Sequence, residues 1–474
     1  MEFKDFMIEE LLYRLEAELP VERIIYDGIS LWPFFRVMVF RQLYDARLKK
    51  ENVTKKRGDV ICESLKNHVD GFLLTKYKLF KRHNGSLLFV TNFQGKFIDG
   101  KLVNKLTAEL ENNLTNIIPI MQINSKKTKK MYGGNYINEQ LINDLISFNS
   151  RRIKIDDNLF EGEAILLEVI EALKINFDYV TTIKRIISGI RFYQEWFKKT
   201  NPNVVIIECY YDFKMCAIYA AKSLGIKTVE VQHGTIVTKT IGYNTRKLYA
   251  NNPFPHWLLC FGEAEKKEIG INKVYINENM IPVGAFFLEY IKTKLKHSQD
   301  VVSQKYPKKK LTITVIGQYT VDDVLMQIIA EISRIDTEIM YIYVPRIIED
   351  KHRRIVSNNV AVEEELDVYT LMQASDVTIS VHSTCVLESV ALGTSVMLVD
   401  INGFASYYFG ELSENVEPII IRKENEVKSE YINTIKELSS IPKERVMAAG
   451  EYLFKNNHSE NIKSAIKTIN QSII

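Results

Sequence analysis

The stretch ASDVTISVHSTCVLESVALGTSVMLVD, residues 374–400, decides the fold. Its β-branched run at 376–380 reads as a buried strand, residues 386–392 as a helix, Gly393 as the stop, and SVMLVD at 395–400 as a second buried strand. Strand, helix and strand at this spacing make a right-handed parallel crossover. His382, Ser383 and Thr384 fall where strand becomes helix, so their backbone N–H groups and hydroxyls face the carboxyl edge of the sheet, where a phosphate is well held. Glu388 stands four residues beyond Thr384, one helical turn along, and suits two hydroxyls of a ribose or sugar ring. Ser383 alone is also an ordinary helix cap, and Glu388 alone an ordinary solvated side chain. The arrangement points to a ligand.

Working outward, LTITVIG at 311–317, a helix at 321–334, YIYV at 341–344 and a helix at 366–374 continue the same alternation. Upstream, SLLFVTNF at 86–93, a strand at 116–122, VVIIE at 204–208, TVEVQ at 228–232, WLLCF at 257–261 and VYINENMIPVG at 274–284 supply a second set of strands. Residues 159–200 have a helical pattern. HSQDVVSQKYPKKK, residues 297–310, is polar, contains Pro307 and divides the two sets. The expected class is α/β, with two Rossmann-like doubly wound domains facing a cleft: 86–297 and 298–474, the last helix returning to the first of them. Residues 1–85 form a helical N-terminal extension whose role the pattern leaves open, and Trp32 and Phe34 within it read as core.

Composition bounds the function. The 474 residues exceed one ordinary core, and 46% apolar with 26% charged residues is a globular balance. The net charge of +3 sets up no field for nucleic acid. Five scattered cysteines (Cys62, Cys209, Cys216, Cys260, Cys385) match neither a disulfide framework nor a zinc pattern, so a reducing compartment is expected. The first residues lack a signal-peptide pattern, and no apolar run approaches the roughly 20 residues of a membrane span. Basic clusters at 49–57, 76–82 and 126–130 suit a solvated surface or peripheral contact with anionic headgroups.

Residues 374–400 resemble the nucleotide-binding signature of GT-B glycosyltransferases: a Ser-Thr turn, then Glu, then Gly before a strand. The likeness covers the last 160 to 180 residues, roughly, as domain organisation. Within that group the pattern is similar to capsule and lipopolysaccharide glycosyltransferases of bacteria and to polyol-phosphate transferases of the teichoic-acid type. The resemblance implies a cytoplasmic, metal-independent transferase, at the inner face of the plasma membrane, with a nucleotide-sugar as co-substrate and no resident cofactor. It would move a sugar to a glycan or lipid-linked glycan acceptor. In such enzymes the turn holds donor phosphates and the Glu holds ribose or sugar hydroxyls.

In VEVQHGTI, 229–236, a buried strand ends at Gln232, His233 and Gly234, placing the imidazole at the mouth of the sheet, where it can take a proton from an acceptor hydroxyl or donate to phosphate. A structural histidine bonded to a neighbouring carbonyl is the alternative. This His-Gly turn also resembles the surface-glycan enzymes, and Gln232 joins the expected acceptor side. Glu208 and Asp212, in IIECYYD, approach the same edge and compete with His233 for the role of base. Gly317, Gln318 and Thr320, in VIGQYT, form a turn suited to a diphosphate or a uracil-like base. Many relatives carry a His-Pro pair where Val344 and Pro345 stand here, so the histidine's role has no direct counterpart; Arg346 is the candidate phosphate clamp in its stead. Lys96 and Asp99, in the Gly-punctuated loop TNFQGKFIDGK, are candidates for acceptor recognition by position. No DxD-like pair stands at a strand end, so no metal ligand is expected. A polyol-phosphate transferase using a CDP-linked donor, a nucleotide-sugar epimerase and a non-catalytic binding subunit are the competing readings.

Overall fold

The computed structural model describes residues 8–49, 85–90, 95–98, 101–114, 116–121, 136–269, 274–295 and 297–472. Two parallel sheets dominate them. The second has six strands in spatial order Val360–Val362, Ile339–Val344, Leu311–Ile316, Val377–Ser380, Ser395–Asp400, Ile419–Lys423. Numbered along the chain this order is 3-2-1-4-5-6, the arrangement of a dinucleotide-binding sheet. The first has seven: Met280–Pro282, Trp257–Cys260, Lys227–Val231, Val204–Ile207, Ser86–Val90, Ile118–Met121, Ile137–Asn138. Its order reverses in the same way, between Ser86–Val90 and Val204–Ile207.

Both sheets are covered on both faces, which is why their strands read as unbroken Val/Ile/Leu runs. In Ser86–Val90, Leu87 and Phe89 turn to a core built with Ile183, Ile187 and Tyr193 of the helix Tyr179–Thr200. Leu88 and Val90 turn to the opposite core, which holds Ile462, Ala465 and Ile469 of the helix His458–Gln471. That final helix therefore lies on the first sheet, where Lys227 Nζ donates to the Ile469 carbonyl at 2.6 Å.

Several expected boundaries shift. The 159–200 pattern is a short strand, Phe160–Glu161, and two helices, Glu163–Leu173 and Tyr179–Thr200. Between them Lys174 turns left-handed at φ 51° and breaks the run. The 274–284 stretch keeps only Met280–Pro282 as strand, because Asn277–Asn279 form a 3-10 turn. The polar divider contains a helix, Ser298–Lys305, whose Val302 packs on Met340, Ile342 and Leu371 of the second sheet's layer.

Residues 8–49 are integral to the first domain's core. Helices Ile8–Glu18 and Trp32–Lys49 flank a hairpin, Ile25–Tyr26 with Ile29–Ser30, whose first strand also pairs with Phe160–Glu161. Leu12, Trp32, Phe34 and Phe35 are fully buried. A buried ion pair fastens this layer: Arg36 Nε donates to Glu16 Oε1 at 2.7 Å, its Nη2 to the Asn244 carbonyl at 2.6 Å, and Trp32 Nε1 to Glu16 Oε1 at 2.9 Å. The basic clusters at 50–57, 76–82 and 126–130 lie outside the described residues. Among the described residues no helix is long and apolar enough to cross a membrane.

Candidate active-site cleft

Each sheet opens its carboxyl edge at the point where strand order reverses, and chains of residues from the two edges meet. In the second sheet, Leu311–Ile316 and Val377–Ser380 are neighbours, so the turns after them converge. The His382 backbone N–H donates to Gln318 Oε1 at 2.7 Å, tying one turn to the other. Gly317 is buried, and Thr320 is exposed. Cys385 N–H donates to Ser383 Oγ at 3.3 Å, while Thr384 at the helix start caps nothing with its side chain.

Thr384 instead reaches across. Thr235, just beyond the His-Gly turn of the first sheet, donates its hydroxyl to Thr384 Oγ1 at 2.9 Å. The two motifs singled out in the sequence are thus in direct contact, and Thr384 keeps its own hydroxyl proton to donate elsewhere. The helix Cys385–Ala391 then carries Glu388 onto the cleft-side layer, where the Tyr369 hydroxyl donates to Glu388 Oε2 at 3.1 Å.

His233 and His382 share an unusual state. Nδ1 of each is shielded from solvent and finds no hydrogen-bond partner among the described residues. Buried polar atoms are rarely left so, and a ligand that supplies the partner is one explanation. Burial pushes both imidazoles down to about 4; for His233, the Glu208 carbonyl pulls the other way while Lys214 and Arg41 add to the depression. Both rings are therefore neutral at neutral pH, each able to donate a hydrogen bond at one ring nitrogen and accept one at the other. His233 sits edge-on to Tyr211 at 5.9 Å, and His382 stacks on Tyr408 at 5.8 Å and against Phe404 at 5.0 Å. Tyr408 also donates to Glu9 Oε1 at 3.0 Å, so the N-terminal helix Ile8–Glu18 borders the same wall.

The remaining candidates are placed as follows. Glu208 is buried at the first sheet's reversal point, where Asn104 Nδ2 donates to its Oε1 at 2.5 Å. Asp212 stands beyond it in a left-handed conformation, φ 61°, paired with Arg41 of the helix Trp32–Lys49. Gln232 has its amide committed inside the fold: Nε2 donates to Glu265 Oε1 at 2.8 Å and to the Gly234 carbonyl at 2.9 Å, and Oε1 accepts from Phe261 N–H at 2.7 Å. Its evident work is to tie adjacent strand ends together. Arg346 is exposed on the loop after Ile339–Val344, with no hydrogen-bond partner among the described residues. Lys96 lies on Gly95–Ile98, paired antiparallel with Lys101–Asn104, and Asp99 lies outside the described residues.

Sequence reasoning passed over Asn104, Thr235 and Lys105. Burial and Glu388 push the Cys385 thiol up to about 11, and Lys105 of the first domain acts on it in the opposite direction, so this lysine is within electrostatic reach of the second domain's turn. Lys105 makes no ion pair among the described residues. Among the described residues no three His, Cys, Asp or Glu side chains converge as a metal set.

No family model and no curated protein matches the chain. Solved structures do. The glycotransferase of kitacinnamycin aligns at 9% identity over 82% of this chain and 99% of that one, with a TM-score of 0.52. The calicheamicin glycosyltransferase CalG4 aligns at 10% identity over 81% and 98%, TM-score 0.49. The UDP-GlcNAc 2-epimerase from Neisseria meningitidis, solved bound to UDP-GlcNAc, aligns at 13% identity over 82% and 100%, TM-score 0.48. At such identities a likeness speaks of fold alone. With its two Rossmann-like sheets set edge to edge across a cleft, the chain has a GT-B-like fold.

Proposed function

We propose that the protein is a glycosyltransferase that takes a sugar from a nucleotide-sugar donor and transfers it to a surface-glycan acceptor of a bacterium. The observation that carries the reading is the contact between the 382–384 turn and the His233–Thr235 turn, each of which holds an imidazole whose shielded Nδ1 has no partner among the described residues. The donor's diphosphate lies against Ser383, Thr384 and Gln318, with Lys105 supplying charge from the opposite wall. Glu388 takes hydroxyls of the ribose or sugar. Developing charge on the leaving nucleoside diphosphate is then met by fixed donors, the electrostatic part of catalysis.

In the transfer, the bond between the anomeric carbon and the phosphate oxygen breaks while a bond to the acceptor oxygen forms, and the acceptor's proton passes to a base. His233 is neutral and has an unoccupied nitrogen, which favours it over Glu208, held by Asn104, and Asp212, held by Arg41. Gln232 contributes by fixing the turn that carries His233.

A thermal-shift screen with UDP, GDP, CDP and CMP and their sugar conjugates tests the reading. Saturation at 100-fold above the dissociation constant stabilises by roughly 2.7 kcal/mol. One nucleotide family is expected to raise the melting temperature, with the rise abolished by Glu388→Ala. A CDP-only response would favour polyol-phosphate transfer, and no response to any nucleotide would remove the donor assignment.

A further inference from the structure

Away from the cleft, on the layer covering the first sheet, the helices Glu139–Ser150 and Tyr179–Thr200 flank a surface cavity of about 840 Å³. That volume lies within the range of small-molecule sites, roughly 300–1,000 Å³. Leu145, Ile153, Ile187, Phe192 and Trp196 line its apolar part. Among its polar lining, the Ser188 hydroxyl donates to the Ile146 carbonyl at 2.8 Å and the Tyr26 hydroxyl accepts from the Asp156 N–H at 3.1 Å. The apolar part suits hydrocarbon, which needs no hydrogen-bonding partner.

The rim differs. Arg152, Lys154, Arg191 and Lys199 border the cavity, all exposed and none in an ion pair among the described residues. Two carboxylates stand among them, Asp27 and Glu195, and Glu195 is engaged by Lys198 at 3.3 Å. The helix explains the layering. Ile187, Arg191, Glu195 and Lys199 follow one another at steps of four residues, so one stripe runs from buried Ile187 to exposed charges, two of them cations. Nearby, Leu159 and Phe148 remain 42% and 53% exposed, and Arg152 lies 4.8 Å over the Phe148 ring. An apolar trough edged by unpaired cations complements a molecule with a hydrocarbon chain and a negatively charged head.

We infer that this cavity binds a single-chain amphiphile with a phosphate head, its chain along Ile187, Phe192 and Trp196 and its phosphate among Arg191, Lys199, Arg152 and Lys154. The inference goes beyond the cleft chemistry and stands whether or not the cleft takes a nucleotide. It places a lipid phosphate on the first domain, at the cavity between the helices Glu139–Ser150 and Tyr179–Thr200.

Isothermal titration of the full chain with farnesyl monophosphate below its critical micelle concentration tests it, with farnesol and inorganic phosphate as the two halves. Saturable one-to-one binding of farnesyl monophosphate is expected, with farnesol weaker by about tenfold or more and no heat from inorganic phosphate. The double variant Arg191→Glu, Lys199→Glu replaces attraction by repulsion at exposed positions and is expected to weaken binding at least about tenfold while leaving the melting temperature unchanged. Lys184→Glu, on the same helix but off the cavity, is expected to bind as the parent does. Equal binding of farnesol, indifference to the charge reversal, or tight binding of inorganic phosphate overturns the proposal. So does sedimentation with phosphatidylglycerol vesicles in the absence of soluble farnesyl phosphate binding, which would assign the cations to a membrane surface. The nucleotide screen on the same preparation reads the cleft separately, so either site can fail alone.

Discussion

A Cβ on Gly317 would sit 2.6 Å from Asp322 Oδ1 and 2.8 Å from the Tyr343 hydroxyl oxygen. Those two atoms are bonded to each other at 2.7 Å, and Asp322 Oδ2 also meets His352 Nε2 at 3.3 Å. Gly317→Ala therefore forces a packed, hydrogen-bonded cluster apart, and a loss of about 1–3 kcal/mol in chemical denaturation is expected, with weakened nucleotide binding alongside. Legibility at this scale followed locality. The positions of the 382–384 turn and of His233 just beyond strand ends were readable because strand, polar turn and helix lie within a few residues of each other. Thr235 and Asn104 were not, because their partners Thr384 and Glu208 stand 149 and 104 residues away and nothing in GTI or LVNK marks them. Gln232 shows another side of locality: its place at a strand end could be read, whereas its bonds to Glu265 and Phe261, about thirty residues on, could not.

The helices Ile8–Glu18 and Trp32–Lys49 are joined to the 241–246 loop chiefly through Arg36 and Glu16, both fully buried. Removing one member of such a pair strands the other charge. Arg36→Met is expected to destabilise by about 3–5 kcal/mol in denaturant unfolding, and adding Glu16→Leu to recover much of that loss. If the double variant is no more stable than the single one, the pair is not what holds this layer. Elements were legible where burial on two faces wrote long Val/Ile runs, as in Leu311–Ile316 and Ser395–Asp400. Short strands such as Ile25–Tyr26, Phe160–Glu161 and Ile137–Asn138 are two residues each, too brief for any period to show. The helix Ser298–Lys305 was hidden by its polar exposed face, with Val302 the apolar residue it buries.

At the scale of the molecule, buried titratable groups set opposing limits on stability. His233, His256 and His382 are each pushed by burial from 6.5 to about 4. The unfolded chain takes up those protons first, so stability is lost as pH falls from about 6.5 toward about 4. Glu230 goes the other way: burial lifts it from 4.5 to about 8 against the hydroxyls of Tyr243 and Tyr275, which donate at 2.6 and 2.5 Å. Its contribution is full below about 4.5 and lost as pH rises through about 8. Three histidines outweigh one carboxyl where the windows overlap, so melting temperature is expected to peak near pH 6.5. Glu230→Gln is expected to flatten the limb from about pH 6.5 to 8 and leave the acid limb in place. An unchanged alkaline limb in that variant would show that Glu230 does not set it. The helix His458–Gln471 has a consequence in time. It covers Leu88, Val90 and Val229 of a sheet whose own strands end at Pro282. On the ribosome the first sheet is therefore synthesised whole while the part of its apolar flank that this helix covers waits for the entire second domain to emerge.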